Sequence, residues 1–150
     1  MIYLRPLSGL CNRLRTIAAG VKLSQEIGCR LCIHWRVDGA MNARYGDLFL
    51  PSSNFDVYDC GATNLYSRIR FYRRLPGVYV HDERQRFLTM ARKFGKMMPV
   101  VYSDYEDFVD SRSYDWMRPL PDIVAEVEAE KRKWDVRPAI AFHVRRTDNE

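Results

Sequence analysis

The hydrophobic positions at the start of the chain predict a strand, a helix and a second strand. Residues 2–5 form a short apolar run, and residues 29–36 form a longer one rich in aromatic and branched side chains, as buried strands are. Between them, a helix is predicted over residues 12–27. There, apolar side chains recur at the spacing of one helix face: Leu14, Ile17, Ala18 and Val21. Gly28 follows, where helices commonly end in a left-handed residue.

The rest of the chain repeats this alternation. Further apolar runs that indicate strands lie at residues 57–58, 78–80, 99–102 and 139–145. A helix is predicted over residues 121–134, because Pro121 suits a first turn and the charges near both ends match the helix dipole. The residues that share one face of this helix are Ile123, Val127 and Trp134. The pattern predicts an α/β, Rossmann-like fold with a mainly parallel sheet and flanking helices.

The composition is that of a folded globular chain. Hydrophobic residues make up 47% of the 150 residues and charged residues 29%, which excludes a disordered polar chain. This length suits about one domain. A run of about 18 apolar residues is absent, and the first residues lack the apolar stretch of a secretory leader. We therefore expect a cytoplasmic chain that does not span a membrane.

The charge balance favours an anionic partner. The net charge is +5, and Arg supplies 19 of the 24 basic residues. Arginine is preferred over lysine for bidentate contacts with phosphate or carboxylate groups. Composition alone leaves open whether that partner is a nucleic acid or a nucleotide sugar.

The four cysteines are predicted to be reduced, mostly buried thiols that bind no metal: Cys11, Cys29, Cys32 and Cys60. Cys29 and Cys32 have C-x-x-C spacing, but a zinc site of this type needs a second such pair. Placed within one strand, residues three apart point to opposite faces of the sheet. This geometry argues against a redox pair as well.

Residues 8–15, between the first strand and the helix, form the first candidate site. Free backbone N–H groups at a helix N-terminus attract anions. Asn12 has a purely structural interpretation as the N-cap residue. Arg13 and Arg15 oppose the helix dipole, so they indicate a nearby anion or acidic group unless both are solvated. The glycine pattern of dinucleotide-binding turns is absent.

The second candidate site follows the predicted strand at residues 139–145. Ligands of open α/β sheets bind outside the carboxyl ends of the strands, and Arg145 with Arg146 could grip a diphosphate there. Asp148 could orient one guanidinium group or begin a helix. A structural His143 and a salt-bridged arginine pair remain alternatives.

Residues 143–149, HVRRTDN, closely resemble the H-[VI]-R-R-T-D-N motif of the fucosyltransferase-like superfamily. The opening GLCNRL, with the helix and the strand CRLCIHW that follow it, resembles the N-terminal G-x-[GC]-N-[RQ] turn of that family. The helix over residues 121–134 is also where the family has one. The resemblance covers both ends of the chain and leaves the middle unmatched.

The resemblance implies two Rossmann-like domains facing a cleft, the GT-B arrangement. It implies transfer of fucose from GDP-fucose to a glycan or peptide hydroxyl, with inversion, and with neither metal nor cofactor. No Asp-x-Asp triplet, the metal-binding signature of the other large glycosyltransferase class, is present. By resemblance, Arg145 is the catalytic residue at the donor diphosphate. The implied substrate-binding residues are Gly9, Asn12, Arg13, His143, Arg146 and Asp148, and the candidate general bases are His143, Asp148 and Glu150.

The resemblance also implies that residues 1–150 are the N-terminal domain, ending at the arginine motif. The second, nucleotide-binding domain is then absent from this chain, which is expected to be a fragment of a longer enzyme or a truncated relative. The alternative function is a non-catalytic module that binds nucleic acid or another polyanion through its Arg-rich middle. Aromatic residues that could stack bases there are Tyr66, Phe71, Tyr72 and Phe87. We regard a solvated face with core aromatics as the simpler interpretation, so nucleic acid is not the expected partner.

Overall fold

The computed structural model describes residues 1–60, 78–104, 108–109 and 113–134. The strands are β1 (Ile2–Pro6), β2 (Leu31–Arg36), β3 (Asp56–Cys60), β4 (Val78–Val80) and β5 (Val100–Asp104). The helices are α1 (Leu10–Ile27), α2 (Arg84–Phe94) and α3 (Pro121–Trp134), with short 3-10 turns at Tyr45–Asp47 and His81–Glu83. The strand predicted at residues 139–145 and the motif after it lie outside the described residues. The chain divides into two compact units, Met1–Arg118 and Pro119–Glu150.

The five described strands form one all-parallel sheet in the order β3-β2-β1-β5-β4. This confirms the predicted α/β fold class with its parallel sheet and flanking helices. Ile2 of β1 pairs with Leu31 of β2 on one side and with Val100 of β5 on the other. The central strand therefore brings its carboxyl end between those of two neighbours.

Two predicted boundaries at the start of the chain were wrong by two residues. Helix α1 begins at Leu10 rather than Asn12, because Gly9 is the N-cap residue. Strand β2 begins at Leu31 rather than Cys29, because the Cys29 N–H still donates to the Ser24 carbonyl, 2.9 Å away, and so completes the helix end. Gly28 between them has φ 62°, which confirms the predicted left-handed cap.

Helices α1 and α2 pack on the same face of the sheet. Helix α1 connects β1 to β2 and α2 connects β4 to β5, and both connections run in the same direction across the sheet. Because such crossovers are right-handed, both helices lie on the same face. Their contact includes an ion pair between Arg92 and Glu26 at 2.8 Å. On α2, the Phe87 ring stacks on Tyr102 of β5 with centroids 4.5 Å apart. Alternate residues of the central strands, such as Leu4 and Ile33, face these helices and are fully buried.

A second aromatic cluster extends this core beyond the end of β2. Trp35 donates its indole N–H to the Ala43 carbonyl at 2.9 Å, and its ring meets Tyr45 edge-on at 5.6 Å. The other rings of the cluster are Phe49, Phe55 and Trp116. Burial raises the pKa of Tyr45 to about 12. The cluster anchors the segment that follows β2, which lies beside the first candidate site.

Helix α3 has the predicted bounds, but its apolar face is exposed. Val127 and Trp134 are 52% and 68% exposed, and none of its residues is buried. Within the described ranges, no helix has the length and apolar character needed to cross a bilayer.

Candidate functional site

The carboxyl ends of β1 and β5 meet at the centre of the sheet. Strands β2 and β3 lie on one side of β1, and strands β5 and β4 lie on the other. Ligands of open α/β sheets bind outside the carboxyl ends of the strands. The turn that leaves β1 lies here, and the Leu7 N–H donates to the Asp104 carbonyl of β5 at 2.8 Å.

The turn between β1 and α1 has an unusual backbone. Ser8 has φ 67°, and among the described residues it is the one non-glycine with positive φ. This conformation costs about 1–3 kcal/mol for a residue that carries a side chain, so surrounding contacts must hold it. Gly9 follows as an N-cap without a side-chain hydrogen bond.

The N-terminus of helix α1, which is electropositive, lies at the carboxyl end of β1. Its first turn contains no acidic residue. The first intrahelical bond runs from the Arg13 N–H to the Gly9 carbonyl at 3.2 Å. The N–H groups of Leu10, Cys11 and Asn12 precede that bond, so helix geometry gives them no intrahelical acceptor. Together with the helix dipole, they favour an anion.

Asn12 folds its side chain back onto the turn. Its Nδ2 donates to the Ser8 hydroxyl at 3.1 Å, and its Oδ1 accepts a bond from the guanidinium of Arg15 at 2.5 Å. The N-cap interpretation of Asn12 was wrong, because Asn12 lies in the first helical turn. Its predicted role in substrate binding stays a prediction.

Arg13 is fully buried beneath this turn. Its Nε donates to the Ser8 carbonyl at 2.7 Å, its Nη1 to the Arg36 carbonyl at 2.5 Å, and its Nη2 to Asp38 at 3.0 Å. The guanidinium carbon lies 5.0 Å from the centre of the Trp35 ring. Burial lowers the pKa of Arg13, and the Asp38 carboxylate opposes that shift.

These contacts explain one of the two arginines that oppose the helix dipole. Asp38 is the acidic group that Arg13 indicated, whereas Arg15 is exposed. The three donors of Arg13 described above all bond to protein atoms. Its predicted contact with substrate is untested and stays a prediction.

The loop after β2 lies next to the β1–α1 turn. Asp38 Oδ1 accepts the backbone N–H groups of Ala40 and Met41, each at 3.1 Å, in addition to Arg13. An added Cβ at Gly9 would lie 3.8 Å from the Ala40 carbonyl oxygen. The β1–α1 turn and the β2 loop are therefore adjacent and are joined through the Arg13–Asp38 ion pair.

Asp104 is a second carboxylate at the carboxyl ends of the strands, and the sequence analysis did not predict it as a site residue. It is fully buried at the end of β5, and its Oδ2 accepts the Tyr102 hydroxyl. Its position after the apolar run at residues 99–102, where a parallel strand ends, was the available signal. Asp38 was missed as well, and it has the same signal, since it follows the end of β2.

The other predicted site residues lie outside the described residues: His143, Arg145, Arg146, Asp148 and Glu150. The predicted proximity of the Gly9–Asn12 turn to Arg145 and Arg146 is therefore untested and stays a prediction.

His34 is the buried histidine of the described chain and faces away from α1 and α2. Its ring lies between those of Tyr3 and Tyr58, with centroids 5.4 Å and 5.8 Å away. Burial, together with the charge of Arg5, lowers the pKa of His34 to about 4. His34 is therefore neutral at physiological pH.

Cys11, Cys29 and Cys32 are free thiols, and Cys11 is exposed, against the expectation of mostly buried thiols. Cys29 is not in a strand as predicted. It lies just before β2, whereas Cys32 is buried inside it. Burial raises the pKa of both thiols. Across the residues that the structure describes, no group of three or more His, Cys, Asp or Glu side chains could hold a metal ion. The prediction that these thiols bind no metal remains open.

Comparison with known proteins finds no matching family model, no matching curated protein and no matching solved structure. The described residues establish an α/β protein with a parallel, Rossmann-like sheet.

Proposed function

We propose that the chain is the N-terminal, Rossmann-like part of a GDP-fucose-dependent glycosyltransferase. One structural observation carries the proposal: the turn that contains GLCNRL lies at the carboxyl end of the central strand, followed by the N-terminus of α1. The resemblance of residues 143–149 to the HVRRTDN motif supplies the rest of the argument.

The chemistry of fucose transfer suits these groups. Breaking the bond between the sugar and the phosphate leaves positive charge on the sugar ring and negative charge on the departing GDP. Fixed donors aimed at the diphosphate stabilise that state more than the ground state. In this proposal Arg145 neutralises the diphosphate, with Arg146, Asp148 and His143 around it. Gly9, Asn12 and Arg13 belong to the facing wall of the cleft.

A nucleotide sugar and a glycan or peptide hydroxyl are the proposed partners. Arginines replace the metal that other glycosyltransferases use, so the proposal includes no cofactor. A second domain is proposed to hold much of the nucleotide, and residues 1–150 alone are expected to turn over weakly or not at all. The candidates for the general base are His143, Asp148 and Glu150.

The described part of the Arg-rich middle gives little support to a polyanion-binding module. Phe87 is fully buried against Tyr102 and therefore offers no face to a nucleic acid base. Arg92 pairs with Glu26, and Arg86 pairs with Glu83. Binding measurements separate the two functions: a module binds arbitrary oligonucleotides in a strongly salt-dependent way, whereas the enzyme binds GDP and is indifferent to oligonucleotide competitors.

Arg145→Ala tests the proposed enzyme. Loss of one preorganised donor to the transition state typically lowers turnover by roughly 10²–10³. We expect that loss in the release of GDP from GDP-fucose by the complete enzyme, with the fold intact by circular dichroism. Arg145→Lys should recover little, because an ammonium group lacks the planar fork of arginine.

The matched control for this test is Arg132→Ala, which removes an exposed arginine from the last turn of α3. It should leave turnover within about threefold of wild type, under the usual relation between rate and barrier. A folded Arg145→Ala enzyme with turnover in that same range would show that Arg145 is structural.

A further inference from the structure

We propose that Arg13 is a positioning residue: it acts through Ser8 and Asp38 to fix the β1–α1 turn and the direction of the Gly9 N–H, next to the N–H groups that begin α1. The inference rests on the proposed function, because it identifies those N–H groups as part of the donor site. It differs from a substrate contact, since the Arg13 side chain is buried and bonds to the protein.

Arg13 Nε donates to the Ser8 carbonyl at 2.7 Å. That carbonyl belongs to the peptide that joins Ser8 to Gly9. A trans peptide is planar, with its N–H and C=O groups pointing in opposite directions. The Gly9 N–H therefore points away from the buried guanidinium, and the Arg13 bond fixes its direction. The same bond helps to hold Ser8 at φ 67°, a conformation that a serine seldom adopts without support.

The guanidinium of Arg13 also bonds to the end of β2 and to the loop that follows it. Nη1 donates to the Arg36 carbonyl at the end of β2, and Nη2 donates to Asp38 just beyond it. Asp38 is in turn held by the N–H groups of Ala40 and Met41. The turn after β1 is thus fastened to a loop of the neighbouring strand, and the fork of arginine reaches all three acceptors at once.

These bonds hold the turn in place before an anion binds. A site with fixed donors binds a diphosphate without first having to order a loop, and loops that must be ordered bind less tightly. Because Arg13 is buried, its charge supports the turn from below while the N–H groups of α1 meet the ligand. Arg15, two residues further on, is exposed and shares none of these bonds to Ser8, Arg36 or Asp38.

Arg13→Lys tests the proposal in the complete enzyme, with Arg30→Lys as the matched control. Arg30 is exposed at the amino end of the strands, where it pairs with Asp56. Lysine retains the charge and loses the fork. Two quantities are measured: the GDP dissociation constant by calorimetry, and the backbone ¹⁵N order parameters of Gly9 and of Ile33 in β2. We expect Arg13→Lys to weaken GDP binding by about tenfold or more and Arg30→Lys by less than about threefold. The Gly9 order parameter should fall from about 0.85 towards 0.6 while that of Ile33 is unchanged.

If Arg13→Lys does not fold, Asp38→Asn carries the same test. It keeps an oxygen for the Ala40 and Met41 N–H groups and removes the charge that Arg13 pairs with. A folded variant in which Gly9 stays rigid and GDP binds as in wild type overturns the proposal. Equal loosening of Gly9 and Ile33 also overturns it, because Arg13 then contributes only general stability.

The test separates this proposal from the function on which it rests. A complete wild-type enzyme that binds no GDP removes the proposed function, and with it the assignment of the turn to a donor site. Selective loosening of Gly9 in Arg13→Lys would still show that Arg13 sets the turn. Weak GDP binding that Arg13→Lys leaves unchanged, beside a loosened Gly9, overturns the positioning role alone.

Discussion

Arg13 keeps its positive charge where water does not reach it, and Asp38 makes this possible. Removing one partner of a buried ion pair costs more than the pair itself contributes, because the remaining charge stays buried and uncompensated. Asp38 is one-quarter exposed, so water can reach the site that its carboxylate leaves. The effect should therefore fall below that of a fully buried pair.

Asp38→Ala should lower the free energy of unfolding by about 2–3 kcal/mol, from the loss of the Arg13 ion pair and of the bonds to Ala40 and Met41. Urea denaturation followed by circular dichroism measures this. Glu130→Ala is the control, since it removes a carboxylate from an exposed pair with Lys133 and should change stability by less than about 1 kcal/mol. Equal effects of the two substitutions would mean that Arg13 finds water when Asp38 is lost.

His34 makes stability depend on pH at the residue scale. Burial and Arg5 lower its pKa in the folded state to about 4, against an ordinary value of 6.5 in the unfolded chain. Above pH 6.5 both states are neutral at this position and the contribution is fully present. As the pH falls from 6.5 towards 4, the unfolded state takes up the proton first, so stability is progressively lost.

Between pH 7.5 and pH 5, the His34 equilibrium should remove about 2 kcal/mol of stability. His34→Gln lacks this titration and should lose about that much less over the same interval. Urea unfolding of both proteins at the two pH values isolates His34 from other titrating groups. Parallel losses in the two proteins would show that His34 is as accessible to protons in the folded state as in the unfolded chain.

At the scale of elements, α1 depends on a close approach to β1. Gly20 is buried on the helix, and a Cβ there would lie 2.1 Å from Leu4 Cδ1, which is itself fully buried. The contact leaves no room for a methyl group unless Leu4 moves within the sheet–helix interface. Glycine in mid-helix is unfavourable by roughly 1 kcal/mol relative to alanine, so packing rather than helix propensity explains this residue.

Gly20→Ala should lower the free energy of unfolding by about 1–3 kcal/mol, since overpacking outweighs the gain in helix propensity. Gly46→Ala is the control, because nothing lies within 4 Å of the added Cβ. It should change stability by less than about 0.5 kcal/mol. Thermal and urea unfolding measure both effects. A Gly20→Ala protein as stable as wild type would mean that α1 can move away from β1 without cost.

At the scale of the whole molecule, the strand order decides what can form a site. Because β5 lies beside β1, the Asp104 carbonyl accepts a hydrogen bond from the Leu7 N–H, which holds the start of the β1–α1 turn against β5. The loop after β2 holds the turn from the other neighbour through Asp38. The carboxyl ends of three adjacent strands, β2, β1 and β5, thus surround the turn at which the proposed donor would bind.

The sequence by itself determined the features that depend on near neighbours in the chain. The spacing of Ile17, Ala18 and Val21 gave the buried face of α1, and the charges and Pro121 gave the bounds of α3. Gly28 marked the end of α1 because only a left-handed residue completes that cap cheaply. Local periodicity and capping carry this information, so no long-range contact is needed to read it.

Only the tertiary structure decided which distant residues meet. Periodicity does not specify that β5 lies between β1 and β4, since every apolar strand can pair with any other. The ion pair of Arg13 with Asp38 joins residues on different elements, and nothing in the sequence around Arg13 distinguishes a buried guanidinium from the exposed one of Arg15. Burial and pairing of a charge depend on the three-dimensional surroundings, because desolvation is a property of the packed chain rather than of its local sequence.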